Sequence, residues 1–163
     1  MKKEIIFYTI MCLAFAACVR PPEYPIEPHL DLPASGALSK TTILQSSGIN
    51  VRDSLYLTLN FTDGDGDIGF QKADSTLYII DTRDKTRIND AQGLPSVPEQ
   101  GAGNGISGQI RIRLLGTCCK SLRPCQPTPL QPRDNLIYEV YVKDRAGHES
   151  NHVMIPAITI LCQ

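Results

Sequence analysis

With 163 residues the chain is long enough for one domain with a real core and short for two. A formal net charge of -1 leaves no electrostatic footprint for nucleic acid. Twelve glycines, twelve prolines, four phenylalanines and no tryptophan point to a loop-rich β protein and away from a helix bundle.

The chain opens with a targeting segment, residues 1–17. Lys2 and Lys3 form a basic start, and residues 5–17 are largely apolar. That run is short for a bilayer span and has the length of a signal peptide. It ends in Phe15, Ala16, Ala17 and Cys18, which resembles the lipobox of bacterial lipoproteins, with Phe15 departing from the usual Leu or Val. The resemblance implies cleavage before Cys18, a diacyl group on its sulfur and a further acyl chain on its amine. Plain secretion, with Cys18 free or paired, is the alternative. Three acyl chains exceed the two signals that stable membrane anchoring takes, so the expectation is a soluble domain tethered to the membrane. No Asp follows Cys18, which favours the outer membrane.

Residues 18–37 read as the lipidated cysteine and a spacer. Pro21, Pro22, Pro25, Pro28 and Pro33 forbid a helix and favour extended chain. Fully extended, residues 19–37 would reach on the order of 60 Å. Residues 29–32 are a candidate first edge strand, and His29 reads as a surface residue.

The folded domain is expected over 38–163. Residues 41–44 are a candidate short strand and 46–50 a turn. Residues 51–61 are the strongest strand in the chain. Leu55, Leu57, Leu59 and Phe61 alternate with Tyr56, Thr58 and Asn60, the period of a half-buried strand. The strand runs directly into DGDGDIG, residues 63–69. Further strands are expected at 75–81, 109–115, 136–143 and 151–161. Pro156 lacks a ladder donor and requires an edge or a bulge there. Arg111 and Arg113 lie on the outward phase of their strand, as an anion site or, more simply, a solvated face. Residues 89–108 form a long Gly/Pro stretch without the Lys-Ser/Thr of a phosphate loop. Short strands between turn signals predict an all-β fold, an antiparallel β-sandwich of immunoglobulin-like arrangement. Another sandwich or a small open barrel is the runner-up.

In that topology the loops after 51–61 and after 136–143 share one pole, which brings Asp63, Asp65 and Asp67 near Asp144. Carboxylates at every other position repel one another unless a cation or water separates them. Calcium takes six to eight oxygens and tolerates flexible loops. These four residues are therefore a candidate calcium site, with Asp74 a further ligand at the loop exit. An exposed Asx turn is the alternative. An EF-hand is rejected, because Ile68 stands where Gly is required, Asp74 where Glu is, and no helix flanks the loop. Zinc is disfavoured by the lack of paired nitrogen or sulfur ligands.

The opposite pole collects Cys118, Cys119, Cys125 and Cys162, an even number suited to disulfides in an oxidising compartment. Pairing adjacent Cys118 and Cys119 is strained, which leaves two connectivities. Either closes one small loop and fastens the C-terminal strand. A four-thiolate zinc site lacks its second CxxC spacing.

The segments NFTDGDGDIG (60–69) and VKDRAGHESN (142–151), behind a lipobox and a proline spacer, together resemble a family of small Bacteroidota envelope lipoproteins. The resemblance implies an immunoglobulin-like fold and an envelope location, and no activity. The expected function is a non-enzymatic binding or structural module, an accessory subunit of an outer-membrane complex, with an envelope protein or glycan as partner. A calcium-dependent surface binder of glycan or protein is the second reading. A hydrolase finds no support: GxSxG and HExxH are absent, and only His29, His148 and His152 are available.

Overall fold

Alternation in the sequence becomes alternation in space. Leu55, Leu57 and Leu59 are buried, whereas Tyr56 between them is 41% exposed. The computed structural model describes residues 23–46, 53–69, 77–88, 105–120 and 132–162. The expected signal peptide, Cys18, Asp74, Cys125 and most of the 89–108 stretch lie outside the described residues.

Among the described residues nine strands follow in order: β1 (His29–Asp31), β2 (Thr42–Leu44), β3 (Ser54–Asp63), β4 (Leu77–Asp81), β5 (Ile106–Leu115), β6 (Arg133–Leu136), β7 (Tyr138–Val142), β8 (Val153–Met154) and β9 (Ile158–Leu161). No helix occurs among the described residues. The ladders run β1-β3-β5, β2-β9-β6 and β4-β7-β8. Among the described strands only the β2–β9 pair is parallel. The ladders do not close on themselves, so the fold is not a barrel, and it is consistent with a β-sandwich.

The second and third ladders continue one another. Ile137 alone separates β6 from β7, and the run keeps one phase, burying Asp134, Leu136, Tyr138, Val140 and Val142. Its partner does not. Leu136 pairs with Ile158 and Glu139 with Met154, which leaves two residues facing three. Pro156 sits in that one-residue bulge, and Ile155 N donates to Tyr138 O at 3.0 Å beside it. The expected strand at 151–161 is therefore two strands of opposite phase, because a bulge moves every later side chain to the other face.

Leucines and isoleucines from all three ladders meet in one core, together with Leu30 of β1 and Ile68 from the loop after β3. Residues of the Pro-rich stretch belong to this body. Pro28, Leu30, Pro33 and Ala37 are buried, and Leu30 pairs with Phe61 on β3. The Asn151 side chain holds Leu30 through both its backbone N–H (2.8 Å) and its carbonyl (2.9 Å). The body thus begins well before the expected start at residue 38.

At the end of the molecule where β3 begins and β9 finishes, Cys119 is joined to Cys162 across a Cα separation of 5.9 Å. Cys118 is also disulfide-bonded. Arg83 lies between Asp81 (2.8 Å) and Asp134 (2.8 Å) and donates to Cys118 O at 3.3 Å. Lys120 reaches Asp81 at 2.9 Å, and its N–H donates to Asp134 at 2.8 Å. This ion network holds the segment that carries both cysteines.

Candidate metal centre

The inward phase of β3 runs Leu55, Leu57, Leu59, Phe61, Asp63, so strand geometry alone turns the Asp63 carboxylate toward the core. Asp63 is 0% exposed. The even phase of β7 does the same for Asp144, which follows Val140 and Val142 and is 2% exposed. Two buried carboxylates therefore meet at one pole as extensions of two core-facing strands.

The loop after β3 is pinned from within. Ile68 is 2% exposed and plugs the core, and its N–H donates to Asp63 Oδ2 at 2.8 Å. Gly66 has φ +72°, a left-handed turn that suits glycine. Asp67 Oδ2 accepts from Ala146 N at 2.9 Å, which ties this loop to the turn after β7. Within that turn His148 clasps Asp144, its N–H at 2.7 Å from Oδ1 and its Nδ1 at 2.8 Å from Oδ2.

Carboxylate oxygens of Asp63, Asp65, Asp67 and Asp144 all lie within 4.8 Å of one another. Ligand atoms of Asp65, Asp144 and His148 form a second, overlapping group. The Oδ1 atoms of Asp63, Asp65 and Asp67 are buried and have no hydrogen-bond partner. In Asp63 and Asp67, one oxygen is fixed by a backbone N–H while the other is left unshared. That is the arrangement by which outer contacts orient metal ligands.

The electrostatics carry the mark of this crowding. Burial, reinforced by Asp65 and Asp67 and opposed by the Ile68 N–H, pushes the Asp63 carboxyl up to about 6. Burial first, then the charges of Asp144 and Asp65, raise Asp67 as well. His148 is raised by its hydrogen bond to Asp144. A hard divalent cation suits four converging carboxylates. Two oxygens on opposite sides of a calcium ion are about 4.8 Å apart, given calcium–oxygen distances of roughly 2.4 Å. The cluster can hold a metal ion.

The structure thus brings together all four acidic residues expected at this pole. It adds His148, whose role rests on the turn geometry around Asp144, and it gives Ile68 a reason: the residue that spoils an EF-hand is the plug that closes this loop. Arg111 and Arg113 stay on the outer strand face, Arg111 stacked on Tyr56 with its guanidinium carbon 4.3 Å from the ring centre and Arg113 donating to Ser54 Oγ at 3.1 Å. No protein-family model, curated protein or solved structure matches the chain. The site stands on its own geometry.

Proposed function

We propose that this chain is a non-enzymatic binding or structural module of the bacterial envelope. In this reading it is an immunoglobulin-like domain, tethered to the outer membrane through lipidated Cys18, whose acidic pole is closed by calcium. The observation that carries the calcium reading is Asp63, a fully buried carboxylate with an unshared oxygen facing three other carboxylates. A charge buried in that way is costly unless a counter-charge joins it.

Strand order supports the immunoglobulin-like reading. The ladder β1-β3-β5 corresponds to one sheet, and β4, β6/β7, β8/β9 and β2 to the other, with β2 parallel to β9. A protein partner is favoured over a glycan. Tyr141 is covered on both faces by Tyr78 (4.5 Å) and His152 (4.4 Å), and Arg87 lies 4.0 Å from the centre of the Tyr78 ring. Tyr78 and Tyr141 offer a sugar no free stacking face.

Two measurements test the proposal. The full chain in detergent is melted in EDTA and again in 10 mM calcium. Binding at ~0.1 mM gives roughly 2.7 kcal/mol by mass action, a rise of roughly 5–11 °C, which Asp65→Ala should abolish. An unchanged melting temperature reduces the loop to an Asx turn. Cys18→Ala should move the protein from the membrane fraction to the soluble fraction of its host; retention in the membrane sinks the lipid anchor.

A further inference from the structure

The acidic loop is covered from outside by the segment that leads back toward Cys18. A Cβ on Gly64, between Asp63 and Asp65, would lie 2.4 Å from the carbonyl oxygen of Tyr24 and 2.5 Å from that of Pro25. A Cβ on Gly105 would lie 2.7 Å from the Tyr24 ring, and the same position is 3.4 Å from the Asp63 carbonyl oxygen. Tyr24 therefore straddles the acidic loop and the start of β5, and both glycines are needed for that approach. Three residues on, the charge of Glu27 acts on His148, the residue that clasps Asp144. Immediately afterwards Pro28 and Leu30 are buried and β1 is zipped to β3.

We propose that residues 24–27 are a strap that seats on the acidic pole only while the pole holds a divalent cation, so that cation occupancy decides whether the body begins at Tyr24 or at Pro28. The inference rests on the calcium reading above and goes beyond it. The buried, unpartnered Oδ1 of Asp63 is the independent sign that the cluster takes a ligand. With the cation bound, the carboxylates are drawn together and Gly64 stays under the Tyr24 and Pro25 carbonyls. Without it, Asp63, Asp65 and Asp67 repel one another. The backbone at Gly64 then swings, and the strap, which touches that backbone directly, loses its seat. The stationary end is Pro28, which is buried two residues before the core residue Leu30. Once released, the four residues 24–27 can reach about 13 Å when extended.

The chain contains no tryptophan, so Tyr24→Trp in the full chain places a single indole emitter on the strap. In detergent with 10 mM calcium its emission should be blue-shifted and weakly quenched by acrylamide. EDTA should shift it to longer wavelength and steepen the quenching. Adding Gly105→Ala, which crowds the ring at position 24 without altering a carboxylate, should give the steep quenching even in calcium while the calcium-dependent rise in melting temperature persists. A rise in melting temperature with no change in emission or quenching overturns the strap and leaves the metal site standing. Loss of both responses in the Tyr24→Trp chain, when the parent chain also shows no rise, overturns the metal site and the strap together. If only the Tyr24→Trp chain loses its rise, Tyr24 is part of the metal site's own support, and a strap independent of it is excluded.

Discussion

The alternation that buries Leu55, Leu57 and Leu59 carries on through Phe61 to Asp63, so a carboxylate occupies a position that the strand aims at the core. Nothing local relieves it except the Ile68 N–H. In the metal-free protein Asp63 takes up its proton near 6, against about 3.9 for an unfolded Asp. The unfolded chain then gives up that proton first as pH rises. The Asp63 contribution should be lost between about pH 4 and pH 6, roughly 3 kcal/mol in all, and the raised His148 and His152 lose theirs as pH rises further. Asp63→Asn removes the charge and keeps an oxygen for Ile68. In EDTA at pH 7.5 the variant should melt several degrees above the parent, without the acid-side rise, and it should not respond to calcium. A variant that melts below the parent in EDTA would show that the buried charge is not a burden. At this scale the chain was half legible. The Asp/Gly alternation announced an oxygen-rich loop, but the complete burial of Asp63 depends on Ile68 reaching a core built from strands distant in sequence.

At the level of elements, strands with clean alternation were readable and the pairing details were not. β3 and β5 were expected from their leucines and isoleucines, yet both run further toward the acidic pole than expected, β3 to Asp63 and β5 back to Ile106. Gly108 and Ser107 conceal that extension: they lack a large apolar side chain, and a Cβ on Gly108 would lie 3.0 Å from Phe61 on the paired strand. The bulge at Pro156 left a trace in the sequence, since Ile155 belongs to the odd phase and Ile158 and Ile160 to the even one. The proline was legible as a missing donor; the change of phase was its consequence for the core. On the outer face, the stack of Tyr78, Tyr141 and His152 crosses the third ladder. His152 lies between Glu139 (2.8 Å) and Glu149 (3.0 Å), which raise its pKa. Such cross-strand groupings follow from register, which no single strand encodes.

Across the whole molecule the two poles pose one problem and solve it differently. Asp81 and Asp134 are buried extensions of β4 and β6, as Asp63 and Asp144 are of β3 and β7. At the cysteine pole the chain supplies its own cations, Arg83 and Lys120, and hydrogen bonding holds Asp81 below the usual carboxylate range despite its burial. At the acidic pole four carboxylates face Arg145 and His148, and burial raises Asp63 and Asp67 instead. That contrast is the strongest whole-molecule argument that an external cation completes the second pole. It also separates the poles energetically, because the ion network and the Cys119–Cys162 bond fix one end without touching the other. The bond spans a sequence separation of 43, for which chain entropy gives about 4 kcal/mol. Replacing both Cys119 and Cys162 with alanine should therefore lower the melting temperature by roughly 8–16 °C, while the ionic contacts of Arg83 and Lys120 keep the fold together. The calcium-dependent rise, read by the same melts with and without EDTA, should keep its full size, since distant independent sites add. A rise that shrinks along with the lost disulfide would mean that the acidic loop is held from the far pole through the core.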